Sequence, residues 1–221
     1  MVAQSKAVRV RLSRTKIVEA ALTLLEEGGD LTFRQLGSTL GADPTAIYRH
    51  FDSKEDLLLA VVDYIAEEII TGWQPTGDWR IDLTSLMHRG HDAYQRRPRL
   101  AKVTAMRTAA GEHEMALVEQ ILVALRHAGL TGETLVRTYR AFIVYQLGFV
   151  IGQSVHVSNG AAALAADRQA WVSVYRNAPA DRYPTIAELG PLLPTPGETP
   201  EFEDGLELLL DGIEALAQRT A

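Results

Sequence analysis

Between Asp43 and Phe51 the chain sets Thr45, Tyr48, Arg49 and His50 among the apolar Ala46 and Ile47. Hydroxyl, phenol, guanidinium and imidazole groups so close together offer hydrogen-bond donors to phosphate oxygens and to the edges of bases. Read as a helix, the segment turns Ala46, Ile47 and Phe51 inward and Thr45, Tyr48, Arg49 and His50 outward. A competing assignment packs Tyr48 on Leu36 and uses His50 only as a helix-end cap. Catalysis finds less to work with. There is no Gly-rich phosphate loop, nucleophile elbow or carboxylate pair. Ser38, Ser53, Ser85 and Ser154 lie in helical contexts without an evident base. With no cysteine, a thiolate nucleophile, a thiolate metal site and a disulfide are all excluded. His88 and His91, three apart, could share a metal, but two ligands do not close a site, and a third from Glu112, His113 or Glu114 has no support. The expectation is a non-enzyme with no catalytic residues, no metal and no cofactor.

The elements that must hold the donors are helices. Ser13 is placed to cap a helix with Ile17, Ala21, Leu24 and Leu25 on one face, stopped by Gly28-Gly29. Thr32 precedes a second, with Phe33, Leu36 and Leu40 inward, ended at Gly41. Asp43 is a good N-cap and Pro44 a good first residue for a third, expected to run through His50 with its positive end turned toward a phosphate. Ser53 and Asp56 resemble a capping box for a fourth, carrying Leu57, Leu58, Val61, Val62, Ile65 and Ile69 to about residue 71. Short helices around Gly41-Ala42 form the layout of a helix-turn-helix. After a break at 72–78, helical patterns are expected at 80–96, 99–110, 114–128, 133–157, 161–175 and 202–218. Six of the nine prolines fall between Pro179 and Pro200, so that stretch is expected to be mostly loop. The fold class is all-α.

Net charge is −6, the wrong sign for a DNA binder until it is resolved by position. The first 16 residues hold Lys6, Arg9, Arg11, Arg14 and Lys16 and no acid. From Glu198 onward, Glu198, Glu201, Glu203, Asp204, Glu207, Asp211 and Glu214 face Arg219 alone. Attraction to phosphate acts over about one Debye length, roughly 8–10 Å, so the local sign decides. The alternative is a merely solvated basic tail. Residues 1–12 lack the apolar core of a secretory signal. The most apolar stretch, 141–152, is about half a membrane span and contains Gln146. These features fit a cytoplasmic protein with no membrane partner.

The run Thr32-Phe33-Arg34-Gln35-Leu36, Gly41 to Phe51 and Ser53-Lys54-Glu55-Asp56-Leu57-Leu58 resembles the DNA-binding domain of the tetracycline-repressor family. "Ile-Tyr-Arg-His-Phe-x-x-Lys-Glu-x-Leu-Leu" is its specific part, and the likeness covers about residues 13–63. Leu36-Gly37 replaces the family's usual Ile-Ala, and Asp43 stands where a small polar residue is usual. Near the other end, Glu201 to Leu206 with Leu209, Leu210, Gly212 and Ile213 is similar to the final helix of the family's ligand domains.

The resemblance implies a helix-turn-helix domain at 1–56, with a disordered basic arm at about 1–12, and a ligand-binding and dimerisation domain at 57–221. It implies DNA contacts from Thr32, Arg34, Gln35, Thr45, Ala46, Tyr48, Arg49, His50 and Lys54. It further implies a repressor of operator DNA that works as a homodimer and is released by a small-molecule effector. A DNA-binding regulator without an effector stays open beside it. Phe142 and Phe149 in one helix, and Phe202, Leu206, Leu209, Leu210 and Ile213 in the last, are the expected dimer surface; the alternative places both helices in a monomer core. For the ligand, side chains joining an apolar body to a polar tip are the candidates: Trp79, His88, His91, Tyr94, Met106, Arg107, Tyr139, Gln146 and Trp171.

Overall fold

Local capping chemistry fixes where the first five helices begin. In the computed structural model, which describes residues 12–104, 107–195 and 202–220, the Ser13 hydroxyl accepts from Lys16 N and opens α1 (Arg14–Glu26). Thr32 does the same for α2 (Phe33–Leu40), with its hydroxyl also donating to the Gln35 side chain. Asp43 caps α3 (Pro44–Ile47), and Ser53 caps α4 (Lys54–Ile70). Asp78 accepts from Arg80 N and Ile81 N to start α5 (Trp79–Gln95). Then follow α6 (Pro98–Thr104), α7 (Glu112–His127), α8 (Gly132–Tyr175), α9 (Pro184–Leu189) and α10 (Phe202–Thr220). Every regular element among the described residues is a helix.

The first four helices close on Ile17, Leu36, Ile47, Phe51 and Leu57, all essentially without solvent contact. The apolar row of α4 continues past that head. Its Ile65 and Ile69 join a second body of helices whose core includes Leu83, Leu100, Leu125 and Phe142. The two halves therefore share one continuous core through α4. Polar bolts reinforce it. Arg99 Nη1 donates to Glu26 O at 3.0 Å, tying α6 to the end of α1. Arg97 and Glu68 form a two-point pair at 2.7 and 2.8 Å. No single helix among the described residues is long and apolar enough to cross a membrane.

Two boundaries differ from the sequence expectation. The third helix closes at Ile47, and a turn carries the chain through His50. The sixth ends at Thr104, well before 110. The expected break between 133–157 and 161–175 is present: α8 (Gly132–Tyr175) is two helices joined at a kink at Gly160, whose φ of 80° and ψ of 163° lie outside helical geometry. The basic arm lies outside the described residues, apart from Leu12, and so does Met106.

Candidate functional site

On the head, α2 and the turn after α3 present a polar face. Thr32, Arg34, Gln35, Thr45, Arg49 and Lys54 are exposed, Ala46 and His50 are half-buried, and Tyr48 is 57% exposed. Ile47 and Phe51 are buried beneath them. Tyr48 is thus not a core residue. Its ring meets the Phe33 edge at a centroid distance of 4.6 Å, which steadies the phenol while leaving it accessible. Arg34, Arg49 and Lys54 enter no ion pair among the described residues. Three free cations beside a phenol and two amide or hydroxyl groups are a surface for a polyanion.

The α3 N-terminus is not an open anion site. Asp43 Oδ1 accepts from Thr45 N at 2.8 Å and from the Thr45 hydroxyl at 2.6 Å. Those bonds, the side-chain one foremost, hold the Asp43 carboxyl below its usual range. The carboxylate occupies the helix end that phosphate would otherwise meet.

Two residues give the head its rigidity. Gly37 is needed by distance: a Cβ there would stand 2.8 Å from Ala42 O and 3.1 Å from Pro44 Cγ, so α2 can approach the turn only without a side chain. Arg14 has a role that its place among the N-terminal cations does not reveal. Its guanidinium lies 4.1 Å from the Phe51 ring centroid, donates to His50 O, and sits 3.7 Å from Asp56. It pins α1 to the α3–α4 turn. The Ser13 cap just before it was the only local signal that Arg14 belongs to a helix.

The body contains a partly open cavity of about 630 Å³. Its wall is apolar in the main, with Val62, Ile65 and Ile69 from α4, Ile121 from α7, and Ile143 and Leu147 from α8. Tyr94, Arg107, Tyr139 and Gln146, all expected around a ligand, come together here. Burial pushes the Tyr94 and Tyr139 phenols up, so both stay protonated donors at neutral pH. Trp79, His88, His91 and Trp171 are not in this wall. Trp79 packs on the main core at the start of α5. His91 stacks on Phe202 at 4.4 Å, and burial depresses its pKa. His88, half-buried, lies 3.6 Å from Glu203, and the Trp171 ring is tilted against Tyr175 at 4.7 Å. Among the described residues no three His, Asp or Glu side chains converge as a metal site.

The segment between α6 and α7 touches both cavity and head. Arg107 lines the cavity and pairs with Glu55, in the first turn of α4 beside Lys54. Farther along α4, Asp63 accepts from His113 N at 3.0 Å, Glu114 N at 2.9 Å and His113 Nδ1 at 3.0 Å. Gly111 permits this, since a Cβ there would stand 2.2 Å from the Asp63 carboxylate. The Asp63 hydrogen bond raises the His113 pKa.

A closed helix-turn-helix head with a free cationic face, carried on a helical body with a partly open cavity, defines a DNA-binding transcriptional regulator. Comparison with known proteins gives the family. Residues 17–61 match the family described as bacterial regulatory proteins, tetR family, and residues 71–217 match the tetracyclin repressor-like C-terminal domain. The chain belongs to the tetracycline-repressor family. An HTH-type transcriptional regulator of Saccharopolyspora erythraea is 29% identical, covering 93% of this chain and 86% of that protein. The class A tetracycline repressor from transposon 1721 of Escherichia coli is 28% identical, over 92% of this chain and 91% of its own length. Among solved structures, BioQ with its double-stranded DNA operator is 25% identical with a TM-score of 0.63, covering 93% of this chain and 99% of that one. ActR of Streptomyces coelicolor, in complex with actinorhodin, shares the fold at a TM-score of 0.79 and 22% identity, over 94% of this chain and 99% of its own.

Proposed function

We propose that this protein is a cytoplasmic, homodimeric repressor whose head (1–56) grips operator DNA and whose body (57–221) releases it when a small molecule fills the cavity. The observation that carries the reading is the pair of opposite surfaces: a rigid head with Arg34, Arg49 and Lys54 unpaired, and a body with an apolar cavity of ligand size. Tyr48 and Lys54 serve as phosphate contacts, and Arg34, Gln35, Thr45, Arg49 and His50 reach bases or backbone. Thr32 acts first as the cap of α2, with Ala46 close to the duplex. Of the candidate liners, Tyr94, Arg107, Tyr139 and Gln146 are retained. The Arg107–Glu55 and Asp63–His113 contacts are the route by which a guest would shift α4 and re-space two heads.

The dimer face needs restating. Phe142, Phe202, Leu206, Leu210 and Ile213 are buried within a single chain, because α10 lies across α8 and α5 and spends its apolar row there. Phe149 and Leu209 keep part of their surface. The outward row for a second copy is Val144, Gly148 and Val155 on α8 with Leu208 and Gly212 on α10. Leu208 is 74% exposed, and nothing stands within 4 Å of a Cβ built at Gly148 or Gly212, so helices of a partner can come close.

The test is titration of the full-length protein against labelled duplex covering the region upstream of its own gene. Binding should weaken steeply with salt. A flat salt response, or equal affinity for unrelated duplex, would sink the operator reading. Thermal stabilisation across a metabolite library, followed by release of that duplex, tests the effector.

A further inference from the structure

On the reading face of the head, one hydroxyl has a fixed hydrogen-bond polarity. Thr45 is exposed, and its hydroxyl lies 2.6 Å from Asp43 Oδ1. The Asp43 carboxyl is held below its usual range, so at neutral pH it is a carboxylate and can only accept. The single Thr45 hydroxyl proton is therefore committed to Asp43, and what the side chain turns outward is lone pairs. The backbone end of α3 takes no part, because Asp43 Oδ1 also accepts from Thr45 N at 2.8 Å. Asp43 Oδ2 enters no hydrogen bond or ion pair among the described residues.

The neighbouring groups have the opposite sense. Arg34, Arg49 and Lys54 are donors only, and the exposed Tyr48 phenol has a proton to give. Phosphates offer acceptors alone, so they suit these donors and repel the Asp43–Thr45 pair. The donors that a duplex presents in the major groove are exocyclic amines, N6 of adenine and N4 of cytosine. Guanine O6 and thymine O4 are acceptors in the equivalent place. Residues at the start of the second helix of a helix-turn-helix meet base edges, and Thr45 is the second residue of α3.

Resting on the reading of this face as the operator contact, we propose that Thr45, polarised by Asp43, is a specificity-determining residue that accepts a hydrogen bond from an exocyclic base amine. Each half-site then holds one position where the read strand carries adenine or cytosine and excludes guanine and thymine. Every base pair puts one amine and one carbonyl oxygen into the major groove, so the contact reads which strand bears the amine. Thr45 makes the contact. Asp43 is a positioning residue that keeps the hydroxyl proton turned away from the base.

Selection of bound duplexes from a randomised pool by the full-length protein, then competition binding with all four bases at each enriched position, tests this. In the wild type, one position per half-site should favour adenine or cytosine over guanine and thymine by about tenfold or more. Thr45→Val removes the acceptor at nearly constant shape and should cut that preference to about twofold or less. Asp43→Gly releases the hydroxyl proton for donation to O6 or O4, so the same position should admit all four bases. Preferences at the other enriched positions should stay as they are. Thr45→Val leaves the Asp43 cap in place and glycine is tolerated at a helix start, so both melting temperatures should stay close to wild type. Enriched sequence with no such position, or a position that responds to only one of the two variants, overturns the proposal and leaves the operator reading standing. If the pool yields no enriched sequence, the operator reading itself fails and this inference with it.

Discussion

The cations on the outer face of the head and the arginines that join the helices of the body are held in opposite ways. Arg34, Arg49 and Lys54 on the head stand in solvent with no carboxylate to hold them. The body's Arg80 is taken by Glu207 and Asp211, Arg97 by Glu68, and Arg89 by the last carbonyls of α4 and Thr71 O. Inside, the contrast reverses. The head is filled by Ile17, Leu36, Ile47 and Phe51, whereas the body keeps a void with an unpaired amide on its wall. Each half leaves something open: unpaired cations on the outer face of the head, and an apolar-lined cavity in the body. α4 belongs to both, with Leu57 and Val61 under the head and Ile65 and Ile69 in or beside the cavity.

Five substitutions would break or sharpen that contrast. The largest effect belongs to neither half alone. Leu208→Asp should leave each chain folded but separate the dimer, visible by light scattering, and lower operator affinity on the order of a hundredfold through lost bivalency. Next, Arg49→Ala should cost about 1–3 kcal/mol of operator binding, and Tyr48→Ala should weaken it in the same direction, with the dimer and any ligand affinity untouched. Binding at wild-type strength would remove either residue from the interface. Third comes Gly37→Ala. Helix propensity favours Ala by about 1 kcal/mol, but overpacking against Ala42 O costs about 1–3 kcal/mol. The urea midpoint should therefore fall by the equivalent of about 1 kcal/mol, with the loss confined to the head.

The smallest effect is a pH response of the clasp between α4 and α7. The folded pKa of His113 is raised by Asp63, with Glu67 and Glu112 adding to it against desolvation. Its contribution is therefore fully present below the unfolded value near 6.5 and is lost as pH rises through the higher folded value. Wild-type stability should drop relative to His113→Gln across that rise. Parallel pH profiles for the two proteins would show that the His113–Asp63 contact carries no weight.

How far this could be read from the chain depended on whether a feature is local. Ser13, Thr32, Asp43 and Ser53 announce helix starts because a cap bonds to a backbone two or three residues on, and all four do so. The reach of α3 to His50 was misjudged, since outward Tyr48 and Arg49 fit a helix and a turn equally well. Arg14 looked like one more cation of a tail because its partners, His50, Phe51 and Asp56, are some forty residues away. The α10 stripe was legible as apolar, but a stripe does not say which surface covers it. Here Phe202, Leu206 and Leu210 are consumed by the chain's own α5 and α8.

By itself, then, the sequence determined an all-helical chain with a helix-turn-helix near its start, because capping, glycine stops and apolar spacing act within a few residues. Only the tertiary structure decided that Tyr94, Arg107, Tyr139 and Gln146 share one void while His88, His91 and Trp171 do not. Those side chains come from separate segments, and the faces they present are set by how whole helices cross and pack.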